Sequence, residues 1–108
     1  MDIFMDKQTI LEILNKIKPI YAKEGLLLLG IFGSYTRDEA EESSDLDILI
    51  ETTPLFLEKY KGFKAFSKLD SLKADLKAIF HKEIDLVDKT GLLQHNNTYI
   101  LEKTLYVS

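Results

Sequence analysis

The chain has 108 residues, a formal net charge of -4, 45% hydrophobic residues and 30% charged residues. That is enough for one compact domain with a modest core, and the negative charge argues against general nucleic-acid binding, whose affinity comes largely from neutralising phosphates. Cysteine is absent, which excludes a disulfide framework and any cysteine-based zinc or redox site.

Asp6 is positioned to cap a first helix, in which Ile10, Leu14, Ile17 and Tyr21 recur at helical spacing and Leu11, Ile13 and Ile20 widen the apolar face. Pro19 predicts a break or restart near Lys18, and Gly25 reads as the stop. "LLLLGIF", Leu26 to Phe32, is short, continuous and apolar, which fits a buried strand. It is also far too short to span a membrane, and "MDIFMDKQ" lacks the basic start and apolar core of a signal peptide. A soluble, cytoplasmic protein is the expectation.

Residues 34–41 suit a short helix with Ser34 near its cap, followed by a polar turn, Glu41 to Ser44. A second strand spans Leu46 to Glu51. Leu46, Ile48 and Ile50 share one face, and Asp45, Asp47, Leu49 and Glu51 share the other. After a break at Thr52 to Pro54, Phe66, Leu69, Leu72, Leu76 and Ile79 form a helical stripe to about residue 80. Leu55 to Ala65 fits neither period, and Gly62 marks a bend or loop tip. A third strand is expected over Glu83 to Asp88, and one or two short helices over Leu92 to Thr104, the last capped by Asn96 or Asn97. "LYVS" suits a short edge strand.

The chemistry concentrates between Gly30 and Glu51. Alternation in a strand aims Asp45 and Asp47 the same way, with alpha carbons about 7 Å apart. Two carboxylates so close repel each other, and a hard divalent cation such as Mg2+ relieves the repulsion with oxygen ligands. Asp85, early in the third strand, adds a further carboxylate if that strand lies beside the second. Gly33 permits close backbone approach to a phosphate, and Ser34 opens a helix whose free N–H groups favour an anion. Arg37 lies one turn later, able to reach a phosphate or to pair with a carboxylate. Each part alone has a blander reading: a turn with its cap, a solvated strand entrance, a surface arginine paired with Glu41. His81 and His95 lack ligand spacing, and the lysines at 59, 61, 64, 68, 73 and 77 read as solvated surface. An apolar patch for a helical partner is expected around Phe56, Tyr60 and Phe63.

The order of these parts resembles the minimal nucleotidyltransferase family, within the DNA polymerase beta-like nucleotidyltransferase superfamily. Gly33, Ser34, Arg37, Glu39, Ala40, Ser44, Asp45 and Asp47 stand at the positions of its motif, and Asp85 in "EIDLV" matches the third family carboxylate. Thr36 and Asp38 depart from it, since a small residue commonly precedes the arginine and a glycine follows it. Asp38 is expected to face solvent, because a carboxylate aimed at a triphosphate weakens binding.

The resemblance implies an α+β fold, a small mixed sheet with helices packed on it, filling residues 1–108 as a single nucleotidyltransferase domain. It implies transfer of a nucleoside monophosphate, AMP from ATP in the leading case, to a hydroxyl, with pyrophosphate leaving. Two Mg2+ ions, or Mn2+ in their place, would be held by Asp45 and Asp47, with Asp85 on the ion that activates the acceptor. Gly33 and Ser34 would hold the β- and γ-phosphates, with Arg37 and Ser44 in support. Small members of the family resemble antitoxins paired with a HEPN-domain toxin, which they inactivate by adding AMP to a tyrosine. The competing expectations are a module that neutralises its partner by contact alone and a domain with a purely structural metal.

Overall fold

A computed structural model describes residues 6–33, 45–94 and 99–107. The predicted helix over 34–41, the turn Glu41 to Ser44 and the Asn96 or Asn97 cap fall outside these residues. The elements run α1 (Lys7–Ala22), β1 (Leu26–Phe32), β2 (Leu46–Thr52), α2 (Pro54–Lys59), α3 (Phe63–Phe80), β3 (Ile84–Asp88), α4 (Lys89–Gln94), α5 (Tyr99–Glu102) and β4 (Leu105–Tyr106). The strands form one mixed sheet in the order β3-β2-β1-β4. β1 pairs antiparallel with β2 and β4, while β2 and β3 are parallel. This is the expected α+β architecture.

Asp6 caps α1, its carboxylate accepting the Thr9 N–H at 2.9 Å. That bond holds the Asp6 carboxyl below its ordinary value. The expected break at Pro19 does not occur, and α1 continues through it to Ala22. The proline lies in the last turn, so only one internal bond is lost. The acceptor it would have used, the Asn15 carbonyl, belongs to an exposed residue that water can reach. Gly25 ends the helix region with φ +82°, and a Cβ there would come within 2.6 Å of Thr53 Oγ1. The Gly25 carbonyl accepts both the N–H (3.0 Å) and the hydroxyl (2.6 Å) of Thr53, tying the entry of β1 to the start of α2.

β1 carries an irregularity between Leu28 and Gly30. Without it, residues 26, 28 and 30 would share a face. With it, Leu26, Leu28 and Ile31 all enter the core, the usual effect of one extra residue in a strand. Gly30 also leaves room for β4, since a Cβ there would strike the Leu105 carbonyl.

The main core lies on one sheet face. Ile10 and Leu14 of α1, Phe56 of α2, and Leu72, Leu76 and Phe80 of α3 pack with Leu46, Ile48, Ile50 and Ile84. The ambiguous segment thus contains α2, with Pro54 in its first turn and Phe56 fully buried. Phe56 therefore belongs to the core and not to a surface patch. Phe66 departs from its expected stripe in the other direction: it is 69% exposed, and half-buried Ala65 and Leu69 pack on the core at that end of α3. Gly62 begins α3 with φ +61°, the bend anticipated from sequence. His81 ends α3 in the left-handed conformation, its N–H donating to the Lys77 carbonyl at 2.8 Å.

Around α1, α2 and α3, the Glu24 carboxylate meets Lys68 Nζ at 2.8 Å and accepts the Tyr60 hydroxyl at 3.1 Å. The Lys68 bond is the main reason the Glu24 carboxyl lies below its ordinary value. A depressed folded-state value stabilises the protein above the unfolded-state value and is lost as pH falls through the folded one. Glu24→Gln is therefore expected to flatten the loss of stability below about pH 4.5, read from urea midpoints at several pH values. Pro19→Ala is expected to restore the missing bond and raise stability by about 1–3 kcal/mol in the same measurement.

Candidate active site

The second sheet face carries the acidic residues. Leu46, Ile48 and Ile84 point into the main core, so their neighbours Asp47 and Asp85 point the other way. The parallel register sets Asp47 directly opposite Asp85. Neighbouring strands lie about 4.8 Å apart, which brings two like charges side by side. Asp47 is half-buried, whereas Asp45 and Asp85 are exposed. Asp45 immediately precedes β2, and the next residue is anchored by its N–H to the Glu83 carbonyl at 2.9 Å. The entrances of β2 and β3 are thereby pinned together beside the three carboxylates.

Gly33 approaches from β1. Phe32 pairs with Asp47, so the chain leaves β1 beside that aspartate. A Cβ on Gly33 would collide with Asp47 Oδ2, and its φ of +81° is one that side chains rarely tolerate. Glycine is needed here twice, for backbone conformation and for the space the carboxylate fills. Ser34, Arg37 and Ser44 lie outside the described residues, as do Thr36, Asp38, Glu39 and Ala40.

Three carboxylates are hard oxygen donors suited to Mg2+ or Mn2+, and the Asp47–Asp85 register fits such an ion. Among the described residues, no three acidic or histidine side chains are gathered into a finished ligand cluster. The described arrangement is a pair of carboxylates on adjacent strands, a third two residues away, and a backbone glycine against one of them.

The far end of this face is closed by α4, which packs on β2 and β3. Leu49 and Leu92 are buried outside the main core cluster. Asp88, expected only as a strand end, holds this corner: it accepts the Thr52 hydroxyl at 2.6 Å and the Thr90 N–H at 3.0 Å. The legible signal was an aspartate two residues before Thr90 at a strand-to-helix junction, a common local cap. Glu51 shares the acidic face at the far end of its strand and is half-buried. His81 is exposed at the end of α3, with no described part in the site. No helix among the described residues is long and apolar enough to cross a membrane.

The family model described as "Polymerase beta, Nucleotidyltransferase" matches residues 15–106. A protein of Methanocaldococcus jannaschii, provisionally named a protein adenylyltransferase, is 40% identical over 76 residues, covering 70% of this chain and 73% of its own. Protein adenylyltransferase MntA of Thermococcus cleftensis is 31% identical over 90 residues, covering 83% of each chain. A solved structure described as a provisionally assigned minimal nucleotidyltransferase superposes with a TM-score of 0.69 over 96% of this chain and 98% of that one. At 24% identity that last likeness speaks to the fold. Matched along most of its length by the family model and by these relatives, the chain belongs to the polymerase beta nucleotidyltransferase family.

Proposed function

We propose that this nucleotidyltransferase is a protein adenylyltransferase, a single domain over residues 1–108 that moves AMP from ATP to a tyrosine hydroxyl of a HEPN-domain toxin and so acts as its antitoxin. The observation that carries the reading is the convergence of Gly33 and Asp85 on Asp47 from two neighbouring strands. The names of the relatives, protein adenylyltransferases, support AMP as the transferred group and a protein as the acceptor.

In this reading Asp45, Asp47 and Asp85 hold the divalent cations. Bound there, Mg2+ supplies positive charge to the phosphoryl, attacking and leaving oxygens of an in-line displacement. Gly33 lets the backbone approach the β- and γ-phosphates closely, with no side chain to hold them away. Ser34 contributes its hydroxyl and the start of the following segment, and Arg37 and Ser44 support the nucleotide. Asp85 is exposed and accepts the proton of the incoming hydroxyl. The acceptor oxygen bonds to the α-phosphorus, the bond to the bridging oxygen breaks, and pyrophosphate leaves.

Incubation with α-labelled ATP, Mg2+ and the HEPN protein is expected to label a tyrosine of that protein. Chelation with EDTA should abolish labelling, and added Mg2+ or Mn2+ should restore it. Asp45→Asn and Asp47→Asn are each expected to lower the rate by about 100-fold or more. If those variants still neutralise the toxin fully, the protein works by contact and not by transfer. Gly33→Ala is expected to cost about 1–2 kcal/mol of stability from the strained φ. Because the added methyl displaces the Asp47 carboxylate, it should also cut transfer by about tenfold or more.

A further inference from the structure

The start of α3 combines basic charge with exposed aromatic side chains. Residues 59–68, "KYKGFKAFSK", contain four lysines and no acidic residue, whereas the whole chain carries -4. Phe63 is 88% exposed and Phe66 69% exposed. A shallow, open groove of about 390 Å³ runs along this face of the helix, lined by Tyr60, Phe63, Lys64, Ser67, Lys68 and Ser71. Two bare phenylalanines on one short stretch are costly to leave in water and unusual without a partner.

We propose that this groove is a docking site for an amphipathic protein helix whose apolar face is flanked by acidic residues. Charge complementarity selects the occupant. Glu24 already neutralises Lys68 and binds the Tyr60 hydroxyl, so the inner end of the groove is electrostatically closed. Lys61 and Lys64 stand exposed on either side of Phe63 and are available for carboxylates. A single-stranded nucleic acid fits less well. Lys59 and Lys68 both lie over the Tyr60 ring, at 5.8 and 5.5 Å, which removes the nearest stacking platform beside Phe63. A second copy of this chain, itself acidic, meets the groove only through whichever helix presents the required pattern.

The position separates this surface from the acidic face. α3 packs on the main core side of the sheet, opposite Asp47 and Asp85. Its C-terminal end leads into β3 and Asp85, and its 18 residues place Phe63 roughly 27 Å of helix away. Recognition at this groove therefore stands apart from the proposed transfer chemistry, and either can fail without the other.

The test uses the full chain and a fluorescein-labelled helical peptide with leucines at i, i+3, i+4 and i+7 and glutamates on both flanks. Anisotropy titration is expected to show saturable binding that weakens with added salt. Phe63→Ser should weaken it about tenfold or more. That side chain is exposed, so the thermal midpoint of the variant should match the parent and exclude misfolding. Lys61→Glu with Lys64→Glu should invert the preference, favouring the same peptide with lysine flanks. Equal binding of the two peptides, or none of either, overturns the proposal. So does tighter binding of a short single-stranded RNA, or self-association in sedimentation that disappears in the Phe63→Ser variant.

Discussion

The parallel pairing of β2 with β3 is the constraint on which the site depends. It sets Asp47 opposite Asp85, and it pins the two strand entrances through the Leu46 N–H and the Glu83 carbonyl. Alternation does the rest: because Leu46, Ile48 and Ile84 are drawn into the core, the aspartates between and beside them have to face outward together. A one-residue slip would carry both carboxylates into the hydrophobic layer and expose the leucine and isoleucines. Burial of the core thus enforces the register of the carboxylates. The same register leaves two like charges adjacent, a local cost that a cation held there would offset.

Two glycines serve this arrangement at close approaches. Gly30 lets β4 lie against β1, and the irregularity beside it turns Ile31 into the core. That turn determines which way β1 is facing when it reaches Gly33 and meets Asp47. Asp88 secures the opposite end of the acidic face by joining Thr52 of β2 to Thr90 of α4. The acidic pair is therefore held between two backbone devices, with Asp47 half-buried and Asp85 exposed.

Much of this was legible in the sequence because it depends on short-range patterns. The Asp6 cap, the Gly25 stop, the alternation of Leu46 to Ile50 and the placement of Asp85 on a strand all follow from local chemistry and period. The failures share a physical origin in tertiary context. Pro19 breaks a helix in isolation, yet in the last turn it costs only one internal bond, whose acceptor belongs to the exposed Asn15. Phe56 and Phe66 carry similar apolar side chains, and only the path of the chain through α2 and Gly62 decides that one is buried and the other bare. The strand alternation of "LLLLGIF" was hidden because the extra residue in β1 resets the period midway. For the site itself, Gly33 and Asp47 were recognised separately, but their direct apposition follows only from the pairing of β1 with β2.

The opposed positions of the acidic face and the lysine–phenylalanine groove suggest a division of labour in which one surface selects a protein and the other acts on it. The claim beneath the proposed transfer is that the three aspartates form the metal and nucleotide seat. Paramagnetic broadening of backbone amide signals by Mn2+ in the presence of a non-hydrolysable ATP analogue tests it most directly. The account predicts that Gly33, Asp45, Asp47 and Asp85 and their immediate neighbours broaden first, and that Asp47→Asn removes the effect. Broadening centred on another acidic surface, such as Asp70 or Asp75 on α3, or unchanged broadening in the Asp47→Asn variant, would contradict it.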